Sequence, residues 1–184
     1  MQIMQRLLLL VSLFALALWF YNDRDATVAT ETAAGLAYPN YTIEPQKSYQ
    51  MRARVLGTHD YSSGREAELS PTDLALGWGP MMDLQTLEEI EISQRGRFYF
   101  WKVAKFPIPR KEIEHHSANV HIVPANQSVV RQLAEIETGD VVTLQGQLIN
   151  ITGEDGWRWR SSLSFTDTGK GACELLWLES LTTS

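Results

Sequence analysis

The chain has 184 residues, a length suited to one domain. Hydrophobic residues make up 44% and charged residues 21%, which excludes a largely disordered chain. Lys and Arg number 16 against 22 Asp and Glu, a net charge of −6, so general nucleic-acid binding, which needs a basic surface, is not expected. The single cysteine, Cys173, excludes an internal disulfide framework and any CxxC site.

Leu7 to Tyr21 form an uncharged, almost wholly apolar run. As a helix it would be roughly 22 Å long, short of the ~30 Å hydrocarbon core. Counting from Ile3 lengthens it, with Arg6 snorkelling to the headgroups. Two readings fit: an N-terminal membrane anchor over residues 1–21, or a cleaved signal peptide. The aromatic end Trp19-Phe20-Tyr21 and the charges of Asp23, Arg24 and Asp25 favour the anchor. Arg6 on the near side predicts an N-terminus in the cytoplasm. The expectation is a single-pass membrane protein that contacts the lipid bilayer through residues 3–21, with its C-terminal domain on the far side of the membrane.

Residues 22–47 lack an apolar period and read as a linker. The exported domain then covers 48–184. Tyr49 to Val55 alternates as a strand does, and Gly57 to Gly64 reads as a loop. Ser70-Pro71-Thr72-Asp73 carries the marks of a helix start, with Ser70 as N-cap. Leu84 to Ile92 admits a short helix or a strand. Arg97 to Val103 is aromatic and strand-like. Asn119 to Val123 reads as a strand, and Asn126 caps a short helix through Ala134. Val141–Ile151, Trp157–Phe165 and Ala172–Leu181 then read as a three-strand meander joined by glycine turns. The fold class expected is mainly β, a β-rich α+β domain: a small antiparallel barrel or curled sheet with short helices, behind one N-terminal transmembrane helix. Residues 137–148, with Gly146 letting a strand bend, look like the central strand entry of OB-like small barrels.

Three places could carry chemistry. Trp157 and Trp159 would point to one side of a strand and Arg158 and Arg160 to the other. Paired guanidiniums make a fork for a carboxylate or phosphate. Asp73 and Trp78 lie in a second loop-like stretch, where a helix start could hold an anion. These give Arg158, Arg160, Trp78 and Asp73 as candidate ligand-binding residues. The third is the histidine run His115, His116 and His121. It offers His116 and His121 as metal ligands, zinc being the alternative to having no cofactor, although no HExxH or HxH spacing supports it. No nucleophile elbow or other complete catalytic set is present.

Taken together, SPTDLALGWGPMMD, HHSANVHIVPA and GWRWRSSLSFTDTGKGACELLWLE resemble a group of uncharacterised bacterial proteins with one N-terminal span and a short exported domain. The resemblance covers roughly residues 48–181. It implies a bacterial envelope location, so that the expected place is the bacterial inner membrane with the C-terminal domain in the periplasm or outside, and it carries no activity. The function expected is a membrane-anchored envelope module that binds a partner, such as another envelope protein, or a small anionic ligand. The alternative is a metal-dependent envelope hydrolase built on His115, His116 and His121.

Overall fold

The computed structural model describes residues 30–32, 35–165 and 173–184. The expected span over residues 3–21 lies outside them. Among the described residues no helix is long and apolar enough to cross a membrane.

Strands β1 (Thr30–Thr32) and β2 (Gly35–Ala37) form a small antiparallel pair. Strand β3 (Tyr41–Asp60) follows directly. The stretch 35–47, expected as linker, is therefore built into the domain. Leu36 and Tyr38 are buried, and the Tyr38 hydroxyl donates to the Pro124 carbonyl at 2.9 Å. After β3 come helix α1 (Arg65–Leu69), strand β4 (Thr72–Gly77) and a 3-10 turn at Gly79–Met82. Helix α2 (Leu84–Glu88) leads into the hairpin of β5 (Ile90–Arg95) and β6 (Phe98–Val103). The segment 84–92, legible as helix or strand, is both in succession. Helix α3 (Arg110–His115), strand β7 (Ser117–Pro124) and helix α4 (Gln127–Leu133) precede strand β8 (Val141–Gly153). Strands β9 (Arg158–Arg160) and β10 (Glu174–Thr183) complete the described chain.

Five strands close on themselves in the order β10-β7-β4-β3-β8, with β8 pairing back to β10. Every pairing is antiparallel except β10 with β7, which is parallel. The protein is thus mainly β, built on a curled and closed sheet. Leu74, Leu76, Val120, Ile122, Val142, Leu144, Leu176 and Leu178 fill its interior, and Val129 and Leu133 of α4 join the same cluster. Each fully buried aliphatic side chain of this kind contributes about 1.5–3 kcal/mol. Asn126 caps α4 as expected, its side chain accepting from the Val129 amide at 3.0 Å. Gly146 sits where β8 meets both β3 and β10. A Cβ at that position would collide with the Trp177 carbonyl oxygen, so only glycine allows the close approach.

Three further expectations need correction. The Ser70–Asp73 helix start is instead the entry to strand β4. Both edges of β4 are taken, by β3 and by β7, and every residue from Thr72 to Gly77 is buried. Pairing and burial on all sides outweigh the local capping pattern. The C-terminal meander is also different. Strand β9 is only three residues long and pairs with Asn150–Thr152, whereas β10 pairs with Val142–Leu148 along the same edge of β8. The loop expected at 57–64 is shorter, because β3 runs on to Asp60.

Candidate functional site

The outer face of β4 and β7 is covered, and a polar cluster is trapped beneath the cover. Asp73 is fully buried. Its Oδ1 accepts from Arg97 Nη1 at 2.8 Å and from His121 Nδ1 at 2.9 Å. Its Oδ2 accepts from Asn119 Nδ2 at 3.1 Å. Asp73 and His121 are directly opposite one another in the β4–β7 ladder, so adjacent strands set that contact. Asn119 lies two residues from His121 and therefore faces the same way. Gln94 of β5 donates to Asn119 Oδ1 at 2.9 Å and ties the hairpin in.

Arg97 arrives from the hairpin turn. Gly96 and Arg97 both have positive φ, 60° and 70°, as a two-residue turn between β5 and β6 requires. Glycine is the residue suited to such a backbone, and an arginine there carries strain. The guanidinium is held by Asp73 and by the Ser70 carbonyl at 2.8 Å, and it lies 3.6 Å from the Tyr61 ring centroid. Burial pushes the Asp73 carboxyl up, but the His121 bond, the charges of His121 and Arg97 and the Asn119 bond outweigh it and leave the pKa below its ordinary value. Burial, with the Asp73 charge, raises the Tyr61 hydroxyl.

Strand β9 closes this cluster from the side. The Trp159 ring faces inward, 5.1 Å from His121 and 6.1 Å from Trp157. Arg158 and Arg160 alternate with it and are exposed. Among the described residues neither guanidinium makes an ion pair. They line an open cleft of about 270 Å³ with Glu44, Asn150, Ile151 and Thr152. Register explains the lining. Arg160 is opposite Asn150, which is opposite Glu44 on β3, and Arg158 is opposite Thr152.

The four expected ligand residues therefore part company. Arg158 and Arg160 stand together. Asp73 is sealed inside the cluster behind Trp159, not at a helix end. Trp78 packs at the barrel end, 5.7 Å from the Phe165 ring and 6.3 Å from that of His116. The two expected metal ligands are not brought together. His116 is the C-cap of α3, with Nδ1 at 3.0 Å from the Glu112 carbonyl and 3.2 Å from its carboxylate. His121 is five residues along β7, roughly 16 Å away on an extended strand, with its Nδ1 committed to Asp73. His115 is exposed, and His59 stacks edge-on with Tyr61 at 4.7 Å. Among the described residues no three His, Cys, Asp or Glu side chains gather as a metal site. Arg97, Asn119 and Gln94 are the cluster members that sequence reasoning missed. The Gly96-Arg97 turn was the available signal.

A second cavity, of about 420 Å³, lies between α2 and β5 and is mostly apolar, lined by Val55, Leu56, Leu84, Leu87, Ile90 and Ile92. Arg54 borders it, but its guanidinium is spent on the Met82 and Gly139 carbonyls. No family model matches the chain, and no curated protein or solved structure matches it either.

Proposed function

We propose that this protein is a membrane-tethered envelope module without catalysis of its own, and that it binds an anionic group through the β8–β9 face. The observation that carries this is the pair Arg158 and Arg160: exposed, adjacent on one face, and without an ion-pair partner among the described residues. Arginines at i and i+2 leave the backbone about 7 Å apart along the strand, within reach of one ligand for two long side chains. That separation suits a phosphate or two neighbouring carboxylates. Asn150 and Thr152 add uncharged hydrogen-bonding groups to the same cleft. Glu44 stands two strands from Arg160, roughly 10 Å away, and would repel a ligand that extends too far across β8. The selectivity expected is for a compact anion or the acidic tip of a partner.

The strand order also supports a finer reading of the fold. Counted along the chain, the barrel strands run 1-2-3-5-4 and back to 1, with strands 3 and 5 parallel and a helix between strands 3 and 4. That order and the parallel pair support reading the sheet as an OB-type barrel, a scaffold that hosts many unrelated binding functions. The acidic chain argues against an oligonucleotide as the ligand. His116 and His121 are engaged in separate contacts, which favours anion binding over metal-dependent hydrolysis.

Calorimetric titration of the full chain in detergent with inorganic phosphate and with an acidic decapeptide tests the proposal. Saturable binding of either, weakened at least tenfold in Arg158→Ala/Arg160→Ala with the melting temperature unchanged, supports it. Equal binding by wild type and double variant, or binding of neither probe, refutes it.

A further inference from the structure

The β5–β6 hairpin has two faces of opposite character. Ile92, Gln94, Tyr99 and Trp101 turn toward the barrel. On the other face the pairs are Glu91 with Lys102, Ser93 with Phe100, and Arg95 with Phe98, and all six residues are exposed. Phe98 and Phe100 are each 47% exposed, as is Phe106 just beyond the hairpin. Half of the chain's six phenylalanines thus stand in solvent within nine residues. Large aromatic side chains left open in this way mark a contact surface.

The charge around them is unlike the rest of the chain. Residues 95–111 hold six of the 16 Lys and Arg and none of the 22 Asp and Glu; Arg97 is turned inward onto Asp73 and Arg110 pairs with Glu114, which leaves Arg95, Lys102, Lys105 and Lys111 as the exposed cations nearest the aromatics. Arg95 lies 5.9 Å from the Phe100 ring centroid, and Lys102 and Lys105 flank the aromatics. Glu91 is the acidic residue of the face, and Lys102 pairs with it at 3.3 Å. We infer that this face docks on an anionic lipid surface, with Phe98 and Phe100 entering the headgroup region and Arg95, Lys102 and Lys105 meeting lipid phosphates. Aromatic side chains rimmed by basic ones are suited to that boundary. Size favours lipid over protein. Two six-residue strands present about 200 Å², well under the ~800 Å² that a stable protein interface buries on each side. A bilayer needs only a few inserting side chains and opposite charge. The inference does not depend on the β8–β9 cleft.

The test uses the full chain with Cys173→Ala and an environment-sensitive fluorophore on Ser93→Cys, in vesicles of phosphatidylcholine alone or with about 30% phosphatidylglycerol. Expected is a blue shift and protection from aqueous iodide only with the anionic lipid. A label on Glu135→Cys, on the surface beside α4, should stay open to iodide in both. Phe98→Ser/Phe100→Ser should abolish the protection. Arg95→Ser should weaken it about fivefold, and salt should do likewise. Equal iodide access at position 93 in both vesicle types overturns the inference. So does protection that arises without lipid and grows with protein concentration, which would place a second copy on this face.

Discussion

Removing the Asp73 carboxylate should destabilise the fold more than any other single polar change in the described domain. Asp73→Ala takes one acceptor from three donors. His121 and Asn119 are 3% and 6% exposed, so neither recovers a water partner easily. The Arg97 side chain is 18% exposed and recovers one in part. Breaking a buried charged pair by deleting one partner costs about 3–5 kcal/mol, set against a total stability of about 5–15 kcal/mol. With a urea slope of about 1.5–2 kcal/mol/M for a domain of this size, the midpoint should fall by roughly 2 M. Arg97→Ala should cost about 2–4 kcal/mol, because Asp73 keeps two donors. The double variant should cost less than the two single variants added together, by at least about 1.5 kcal/mol. Arg97→Gly should be milder than Arg97→Ala by about 1 kcal/mol, since glycine relieves the positive φ. Equilibrium urea unfolding followed by tryptophan emission measures all four. A loss below about 1 kcal/mol for Asp73→Ala, or strict additivity with Arg97→Ala, would show that the network does not lock the hairpin to the barrel.

Gly146→Ala should prevent barrel closure, because its methyl meets the Trp177 carbonyl and backbone cannot yield as a side chain can; a melting temperature within 3 °C of wild type, or roughly 0.5 kcal/mol, contradicts this. Asn126→Ala should cost about 1 kcal/mol by leaving the Val129 amide uncapped, and Asn126→Asp, which restores an acceptor, should recover most of it in the same melt. Acid should weaken the fold through Asp73. Its folded pKa is depressed, so its contribution is complete above the unfolded value of about 3.9 and is lost as pH falls through the folded value. The urea midpoint of wild type should therefore drop below about pH 4, and Asp73→Asn should show a shallower acid limb.

What could be read along the chain was what neighbouring residues decide. The aromatic run Phe98–Val103 formed its strand, Asn126 capped its helix, and Gly146 proved a position that only glycine can fill, because the Trp177 backbone passes against it. The Trp-Arg alternation of β9 also came out as its period requires. Strand β4 was misread because Ser70-Pro71-Thr72-Asp73 carries a capping pattern and no hydrophobic period survives when all of its faces are buried. The Asp73 cluster was illegible for a different reason. Its members come from 24 and 48 positions further on, and no spacing rule links residues that only sheet register brings together. Residues 35–47 looked like linker because their apolar positions are sparse, yet Leu36 and Tyr38 pack against Val123, Ile149 and Leu175 from distant strands.

The ring of strands has a consequence for the order in which the molecule assembles. Strand β10 supplies both missing neighbours at once, one to β7 and one to β8. Until Glu174–Thr183 has left the ribosome, those two strands offer bare backbone amides and carbonyls to whatever passes. Nascent chains halted before that point should be prone to sticking to one another, and folding should be dominated by one late, long-distance event rather than by zipping from the front.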